Sequence, residues 1–207
     1  EIQYEGVTDN LRDIALADSI TAWIVGDNGM ILKTTNNGFN WIEQNSGIQN
    51  GLNAVYFMDA NNGWAVGDNK KIIKTSDGGT NWIIQVVPLI PNNISFNSVH
   101  FISLTEGWIV GSAGYILHTI NGGIDWIVQK NTGATLQQIR FVNSTTGFAV
   151  GTNGSIFNTT NSGANWNSVV SNSTLGLNDI LYYTTTEYWI VGDNGIILKS
   201  SNSGSSW

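Results

Sequence analysis

Residues 22–41 read AWIVGDNGMILKTTNNGFNW, and four further segments of the chain repeat this pattern. The tryptophan that ends each segment recurs after 41, 44, 40 and 41 residues. A glycine that closes an aromatic-x-Val-Gly block recurs at the same intervals, from Gly26 to Gly192. Two markers with identical spacing indicate an array of five repeats rather than a chance similarity.

Each repeat contains four short runs of β-forming residues. In the first repeat these runs lie at residues 13–16, 23–26, 30–34 and 41–44, and Gly, Asn, Asp and Ser bound them. The Asp27-Asn28-Gly29 segment separates the second run from the third, and its residue types tolerate the positive φ of a tight hairpin. No sustained 3.6-residue period predicts a helix. The sequence therefore predicts an all-β protein, a five-bladed β-propeller of four-stranded antiparallel blades.

The N-terminal residues predict how the ring closes. Residues 1–6 align with residues 42–47 at an offset of 41, and the chain ends at Trp207, where a fourth strand should begin. We therefore expect residues 1–6 to complete the last blade, so that residues 1–207 form a single closed propeller domain of five repeats of about 41 residues. The alternative is that the chain is a fragment of a longer array.

The aromatic residue of each aromatic-x-Val-Gly block occupies one register of the repeat. Because these side chains are large and apolar, we expect them to pack between adjacent blades as the core of the propeller. They are Trp23, Trp64, Trp108, Phe148 and Trp189.

Composition excludes several classes of function. Charged residues make up 11% of the chain and the net charge is -7, which disfavours nucleic acid and anionic membrane surfaces as partners. The chain has no cysteine and two histidines, too few for a thiolate or multi-histidine metal site. No apolar run reaches the roughly 18 residues of a membrane span. We expect no cofactor, no metal and no direct membrane insertion, and the low charge favours an extracellular, cell-surface or periplasmic location.

The turn before each motif tryptophan carries a further pattern. In the second repeat the turn reads Thr75-Ser-Asp-Gly-Gly-Thr-Asn-Trp82, which resembles the Asp-box, or bacterial neuraminidase repeat, Ser/Thr-x-Asp-x-Gly-x-Thr-Trp. Asn replaces the acid in the other four repeats, so that Asp77 alone keeps it. The preceding Gly-x-x-Gly-x-Ile-x-x-Thr pattern, as at residues 26–34, is similar to the photosystem II assembly-factor-like propellers.

The box residues are expected to be structural. The Asn or Asp oxygen can accept backbone N–H groups within the turn, the glycine supplies a conformation that other residues resist, and the tryptophan covers the hairpin. The residues assigned this role are Trp41, Trp82, Trp126, Trp166 and Trp207, with Gly38, Gly79, Gly123, Gly163 and Gly204.

The resemblance implies a scaffold that docks on partner proteins, although the Asp-box also occurs in sialidases and other glycosidases. A sialidase-like site needs several arginines to hold a carboxylate, and this chain has only Arg12 and Arg140. Glu106 and Glu187 share one register, which indicates the repeat rather than an acid/base pair. We therefore predict a non-catalytic binding or scaffold module with a protein partner. A lectin-like propeller with a glycan partner is the alternative, and a glycoside hydrolase is the third hypothesis.

The innermost strands contain one non-repeating polar position. Tyr56, His100 and Arg140 occupy the same register in three consecutive repeats, and the equivalent residues of the first and last repeats are apolar. The segment at 87–97 leads into the strand with His100, breaks the repeat length and contains Pro88 and Pro91. We expect these five residues to form the partner-facing site at one mouth of the central channel.

Overall fold

The computed structural model describes residues 8–207 and contains five antiparallel β-sheets. Each sheet is one blade, and we number the blades 1 to 5 along the chain. Blades 1 to 4 have four strands each, and blade 5 has three in the described residues. The predicted all-β propeller with five repeats is confirmed. No helix within residues 8–207 has the length and apolar character needed to cross a membrane.

The strands follow one another outward from the channel in each blade, so that the first strand of a blade is the innermost. Blade 1 consists of β1 (Leu11–Leu16), β2 (Ala22–Gly26), β3 (Ile31–Thr34) and β4 (Ile42–Glu43). Blade 2 consists of β5 (Leu52–Phe57), β6 (Gly63–Gly67), β7 (Lys71–Thr75) and β8 (Ile83–Ile84). Blade 3 consists of β9 (Phe96–Phe101), β10 (Gly107–Gly111), β11 (Tyr115–Thr119) and β12 (Ile127–Asn131). Blade 4 consists of β13 (Leu136–Phe141), β14 (Gly147–Gly151), β15 (Ile156–Thr159) and β16 (Asn167–Val169). Blade 5 consists of β17 (Leu177–Tyr182), β18 (Tyr188–Gly192) and β19 (Ile197–Ser200).

The turn between the second and third strands has the positive φ that its sequence predicts. In blade 1 it is a short 3-10 turn over Asp27–Gly29, with Asn28 at φ 55° and Gly29 at φ 74°. A Cβ atom on Gly29 would lie 2.2 Å from the carbonyl oxygen of Ile48, so that both the backbone angle and the close approach require glycine here.

The Asp-box turn is held by its own side chains. In blade 2, the Thr75 hydroxyl donates to Asp77 at 2.9 Å and accepts the N–H of Gly79 at 2.8 Å. The Asp77 carboxylate also accepts the backbone N–H of Asn81 at 2.9 Å. Asn36 makes the equivalent bonds in blade 1, which explains why an amide can replace the acid in this turn.

Stacked aromatic rings join the internal blades. Three of the four interfaces between consecutive blades contain a pair of rings with centroids 3.5–3.8 Å apart, namely Trp23 on Phe57, Trp64 on Phe101 and Trp108 on Phe141. Four tryptophans of the Asp-box turns pack edge-on against these interfaces, with ring centroids about 6 Å from a phenylalanine ring. Trp82, Trp126 and Trp166 each meet the phenylalanine of a stacked pair, and Trp207 meets Phe148. Four of the five aromatic residues predicted to pack between blades are therefore buried.

Trp189 differs from the other members of its register, and the prediction that it packs between blades is wrong. Its side chain is 38% exposed, whereas Trp23, Trp64 and Trp108 are fully buried. The physical reason is that the apolar clusters of the described residues join blades 1–2, 2–3, 3–4 and 4–5, and none joins blade 5 to blade 1. Within residues 8–207, no blade packs over the side of blade 5 that carries Trp189. The predicted strand at residues 1–6 lies outside the described residues, and ring closure stays a prediction.

Candidate functional site: the central channel

The innermost strands surround a central cavity of about 390 Å³. Strands β1, β5, β9 and β13 contribute most of its wall, and β17 contributes Asn178. The cavity wall includes Tyr56, His100 and Arg140, so the structure brings together the three polar residues that the sequence singled out. A cavity of this size can hold a few side chains of a partner segment but not a folded domain.

Tyr56, His100 and Arg140 follow one another around the channel wall. The Tyr56 hydroxyl donates to the carbonyl oxygen of Phe101 at 2.8 Å, and its ring meets the His100 ring edge-on at 5.1 Å. The His100 ring stacks on Phe141 of the next blade, with centroids 6.2 Å apart and planes 12° apart. Each of these rings therefore contacts the blade that follows it, which fixes its orientation in the wall.

His100 is uncharged at neutral pH in this environment. Burial of the ring, assisted by the nearby positive charge of Arg140, lowers the pKa of His100 from 6.5 to about 4. The imidazole therefore offers one donor and one acceptor rather than a cation. Arg140 is then the only positive charge among the three predicted residues.

Two carboxylates add negative charge near Arg140, and the sequence reasoning missed both. Asp13 lines the cavity, whereas Asp179 lies beside Arg140 outside the cavity wall. Arg140 Nε lies 3.9 Å from the Asp179 carboxylate, which is an ion-pair distance but too long for a hydrogen bond. Asp13 interacts electrostatically with both Arg140 and Asp179. Burial raises the pKa of the Asp13 carboxyl, although hydrogen bonds from the N–H groups of Val55 and Ile14 oppose that shift. Asp13 and Asp179 occupy one register, whose other members are uncharged, and this irregularity was the signal available in the sequence.

Arg140 retains an unused donor. Its Nε atom is buried and makes no hydrogen bond with residues 8–207, whereas the Asp179 carboxylate accepts the side-chain N–H of Gln138 at 2.9 Å. An unpaired buried donor is costly unless a partner satisfies it. The buried Nε atom is out of reach of a ligand, but the Arg140 side chain as a whole is 39% exposed in the cavity wall, so a bound group with an acceptor oxygen could engage its outer N–H groups.

One mouth of the channel is fixed by bonds between blades. Its rim carries one residue from each innermost strand, namely Arg12, Asn53, Asn97, Gln137 and Asn178. Arg12 is neutralised by ion pairs with Asp27 and Asp68. Amide groups of Asn53 and Asn97 donate to carbonyl oxygens of the following blade at 2.9 and 2.8 Å. These residues hold the mouth open and have few free polar groups for a ligand.

The proline-containing segment packs on blade 2. Lys70 Nζ donates to the carbonyl oxygen of Ile90 at 2.9 Å, and Ser95 donates to the Asp68 carboxylate at 3.0 Å. Pro88 is half-buried and Pro91 is exposed, and neither lines the cavity. The segment leads into the rim at Asn97, but its share in a binding site stays a prediction.

The glutamates that share one register each pair with the third strand of their own blade. Glu106 lies 3.2 Å from His118, and Glu187 lies 2.8 Å from Lys199. Burial lowers the pKa of His118, although the hydrogen bond and negative charge of Glu106 oppose this shift. Since both pairs occupy equivalent positions in two blades, they belong to the repeat. No group of three or more His, Asp or Glu side chains within residues 8–207 is arranged to hold a metal ion.

Comparison with known proteins gives one family and one fold. Residues 43–130 and 127–207 match the family described as photosynthesis system II assembly factor YCF48. A solved structure of YCF48 bound to D1 peptide covers 100% of this chain and 83% of its own, at 20% identity and a TM-score of 0.57. YCF48 from Cyanidioschyzon merolae covers 99% of this chain and 86% of its own, at 17% identity and a TM-score of 0.55. The GH74 xyloglucanase from Xanthomonas campestris covers 95% of this chain and 38% of its own, at 11% identity and a TM-score of 0.77. A search of curated proteins finds no match.

Proposed function

Because the chain belongs to the photosynthesis system II assembly factor YCF48 family, we propose that it is a non-catalytic module that binds a segment of a partner protein in its central channel. The observation that carries this proposal is the side chain of Arg140, which is 39% exposed in the wall of a cavity of a size suited to a few side chains. The YCF48 structure with a D1 peptide supports a peptide as the class of ligand.

The charges of the channel indicate what the segment should carry. Arg140 can hold an acceptor oxygen, such as a peptide carbonyl, while Asp13 and Asp179 favour a donor or a positive charge beside it. The net charge of -7 adds a long-range attraction for basic segments. We therefore infer that the ligand is a peptide segment with at least one basic or amide side chain next to an accessible carbonyl group.

A peptide-display experiment tests this proposal. The wild-type protein is used to select from a random peptide library, with the D1 peptide as a second probe, and the affinities of enriched peptides are measured by fluorescence anisotropy. Arg140→Gln should weaken binding about tenfold or more, as expected for loss of a charged hydrogen bond. Lys71→Gln is the matched control, because it removes the same charge from a residue that does not line the channel, and the ammonium group of Lys71 makes no hydrogen bond with residues 8–207. No enrichment, or equal binding by the Arg140 variant, would overturn the proposal.

A sugar ligand is the second candidate function, because the fold is shared with a GH74 xyloglucanase. Xyloglucan incubated with the protein should release no new reducing ends if the module is non-catalytic. A glycan array distinguishes a sugar ligand from a peptide ligand. Saturable binding to a sugar on the array that Arg140→Gln abolishes would favour the lectin hypothesis. The location outside the cytoplasm stays a proposal, which fractionation of the source cells would test.

A further inference from the structure

Three large aliphatic residues are exposed on two adjoining turns of blade 3. Leu104 lies between β9 and β10, and Ile120 and Ile124 lie in the Asp-box turn that follows β11. They are 48%, 72% and 65% exposed, respectively. The N–H of Gly122 donates to the carbonyl oxygen of Thr105 at 2.8 Å, so the two turns are joined and each aliphatic residue lies within two positions of that bond. We call these three residues the blade 3 patch.

The other blades carry small or polar residues at the same three registers, with one exception. Phe39 of blade 1 is the single large apolar residue among them. The equivalent residues are Ser19, Thr35 and Phe39 in blade 1, Ala60, Ser76 and Thr80 in blade 2, Ser144, Thr160 and Ala164 in blade 4, and Thr185, Ser201 and Ser205 in blade 5. The repeat therefore does not require aliphatic side chains at these positions, and blade 3 alone has them at all three.

The fold does not use the side chains of the blade 3 patch. The Thr119 hydroxyl accepts the N–H of Gly123 at 2.9 Å, and the Asn121 side-chain oxygen accepts the N–H of Asp125 at 2.9 Å, so other residues hold the turn. None of the three aliphatic residues belongs to the apolar clusters of residues 8–207. Exposed apolar side chains that are grouped rather than scattered mark interaction sites.

Two carboxylates flank the blade 3 patch without a permanent counter-charge. Asp125 directly follows Ile124 and is exposed, and Glu106 lies two residues after Leu104. Within residues 8–207, no lysine or arginine lies at ion-pair distance from either acid. His118 is the partner of Glu106, and burial lowers the pKa of His118, so this imidazole is uncharged at neutral pH.

One ammonium group lies beside the buried Gly122 of the same turn. Lys74 Nζ of blade 2 would lie 3.0 Å from a Cβ atom on Gly122, and it is 5.3 Å from the centre of the Trp64 ring. Burial lowers the pKa of Lys74, and the face of the indole ring attracts its ammonium group. This cation is therefore engaged within the interface between blades 2 and 3, and the exposed charge around the patch is negative.

We propose that the blade 3 patch is a docking site for a peptide segment of a partner protein in which two or more aliphatic or aromatic side chains adjoin a lysine or arginine. The apolar side chains of the segment cover the patch, and its basic residue pairs with the exposed Asp125, while Glu106 adds to the negative potential. In each blade the rim residue begins the first strand and the Asp-box follows the third, so these turns lie at the end of the blade away from the rim. This inference is independent of the ligand proposed for the channel.

The other blades supply substitutions that the turns accommodate. The triple variant Leu104→Ser/Ile120→Thr/Ile124→Ala gives blade 3 the residues that blade 4 has at these registers. Phe39→Thr is the matched control, because it replaces an exposed apolar residue at the register of Ile124 with the residue that blade 2 has there. Both variants should unfold at the wild-type temperature.

Peptide selection tests the proposal. Short random peptides displayed on phage are selected on the wild-type protein and counter-selected on the triple variant, which retains the channel, and the affinities of enriched peptides are measured by fluorescence anisotropy. Enriched peptides should contain at least two large apolar residues and a lysine or arginine. The triple variant should bind them at least about tenfold more weakly, whereas Phe39→Thr should bind them as the wild type does.

Asp125→Asn separates the charge from the apolar contact. Asn stands at this register in blades 1, 2 and 4, so the turn should be retained. The variant should bind the enriched peptides about two- to fivefold more weakly, and their affinity should depend less on salt concentration. Failure to enrich any peptide that prefers the wild type, enriched peptides without basic residues, or unchanged affinity in Asp125→Asn would overturn the proposal. Self-association in sedimentation velocity that the triple variant abolishes would assign the patch to a second copy and would also overturn it.

Discussion

Replacing Trp64 with alanine should be among the most destabilising single changes in this protein. The Trp64 ring is fully buried, stacks on Phe101 with centroids 3.6 Å apart, and donates its indole N–H to the carbonyl oxygen of Gly122 at 3.0 Å. Deleting a buried large aromatic side chain typically costs about 3–5 kcal/mol. For a chain of this size, that loss corresponds to a melting temperature lower by roughly 6–20 °C.

The same substitution at Trp189 provides an internal control for this argument. Trp189 occupies the same register but is 38% exposed, and Lys199 Nζ, 5.0 Å from its ring centre, is the polar group beside it. Because less apolar surface returns to water and no closed cavity is left, we expect Trp189→Ala to cost about 1 kcal/mol.

Urea titrations followed by circular dichroism give both free energies of unfolding. The m-values of the variants should be compared to verify that unfolding stays cooperative. A cost below about 1 kcal/mol for Trp64→Ala, or equal costs for the two variants, would refute the assignment of this register to the blade interfaces.

Three further predictions follow from individual contacts. Asp77→Asn should lower the melting temperature slightly at neutral pH, and Asp77→Ala should lower it more. Since hydrogen bonds, above all those from Asn81, lower the pKa of Asp77, the small advantage of the acid over Asn should be present above pH 3.8 and disappear as pH falls below that value, as differential scanning calorimetry can verify. The pKa of His100 falls from 6.5 in the unfolded chain to about 4 in the fold, so the unfolded state binds the proton first as the pH falls. The free energy of unfolding should therefore drop by about 3 kcal/mol between pH 6.5 and pH 4. His100→Phe should remove this part of the pH dependence measured by urea titration, and an unchanged profile would contradict the prediction. Deleting residues 1–6 should lower the melting temperature or promote aggregation if they pair with β19, and a variant with unchanged melting that remains monomeric would contradict that pairing.

The sequence predicts the blades well because the repeat markers are local. The spacing of the motif tryptophans sets the number of sheets, and the Asp-box turn is held by bonds among residues such as Thr75, Asp77 and Asn81, all within a few positions of one another. The sequence could also group Tyr56, His100 and Arg140, because one register of the innermost strands places residues at equivalent positions in consecutive blades, and all three line the cavity. The number of blades, the turn and the grouping of the three polar residues can be predicted because each depends on residues within one blade or on one register of the repeat.

The features that the sequence analysis missed depend on contacts between blades. Asp179 lies beside Arg140 because consecutive blades place their innermost strands side by side, and Asp13 of the first blade acts on the same charges. The two acids stand out from the uncharged members of their register, but that irregularity does not by itself name Arg140 as their partner. The exposure of Trp189 likewise depends on the absence of a covering blade and not on its own surroundings. One clue was available, since Leu16 stands where the next three blades carry Phe, and an aliphatic residue there indicates an atypical interface.

The distribution of interfaces explains why the candidate site lies in the middle of the chain. In a repeat protein each unit is stabilised by its own fold and by its contacts with neighbouring units. Blades 2, 3 and 4 have packed interfaces on both sides, whereas blades 1 and 5 have one each within the described residues. Tyr56, His100 and Arg140 belong to those three blades, so the elements that carry them are the most firmly held. A binding site gains precision from rigid support, and the packed interfaces on both sides of blades 2, 3 and 4 therefore fix the geometry of these three side chains.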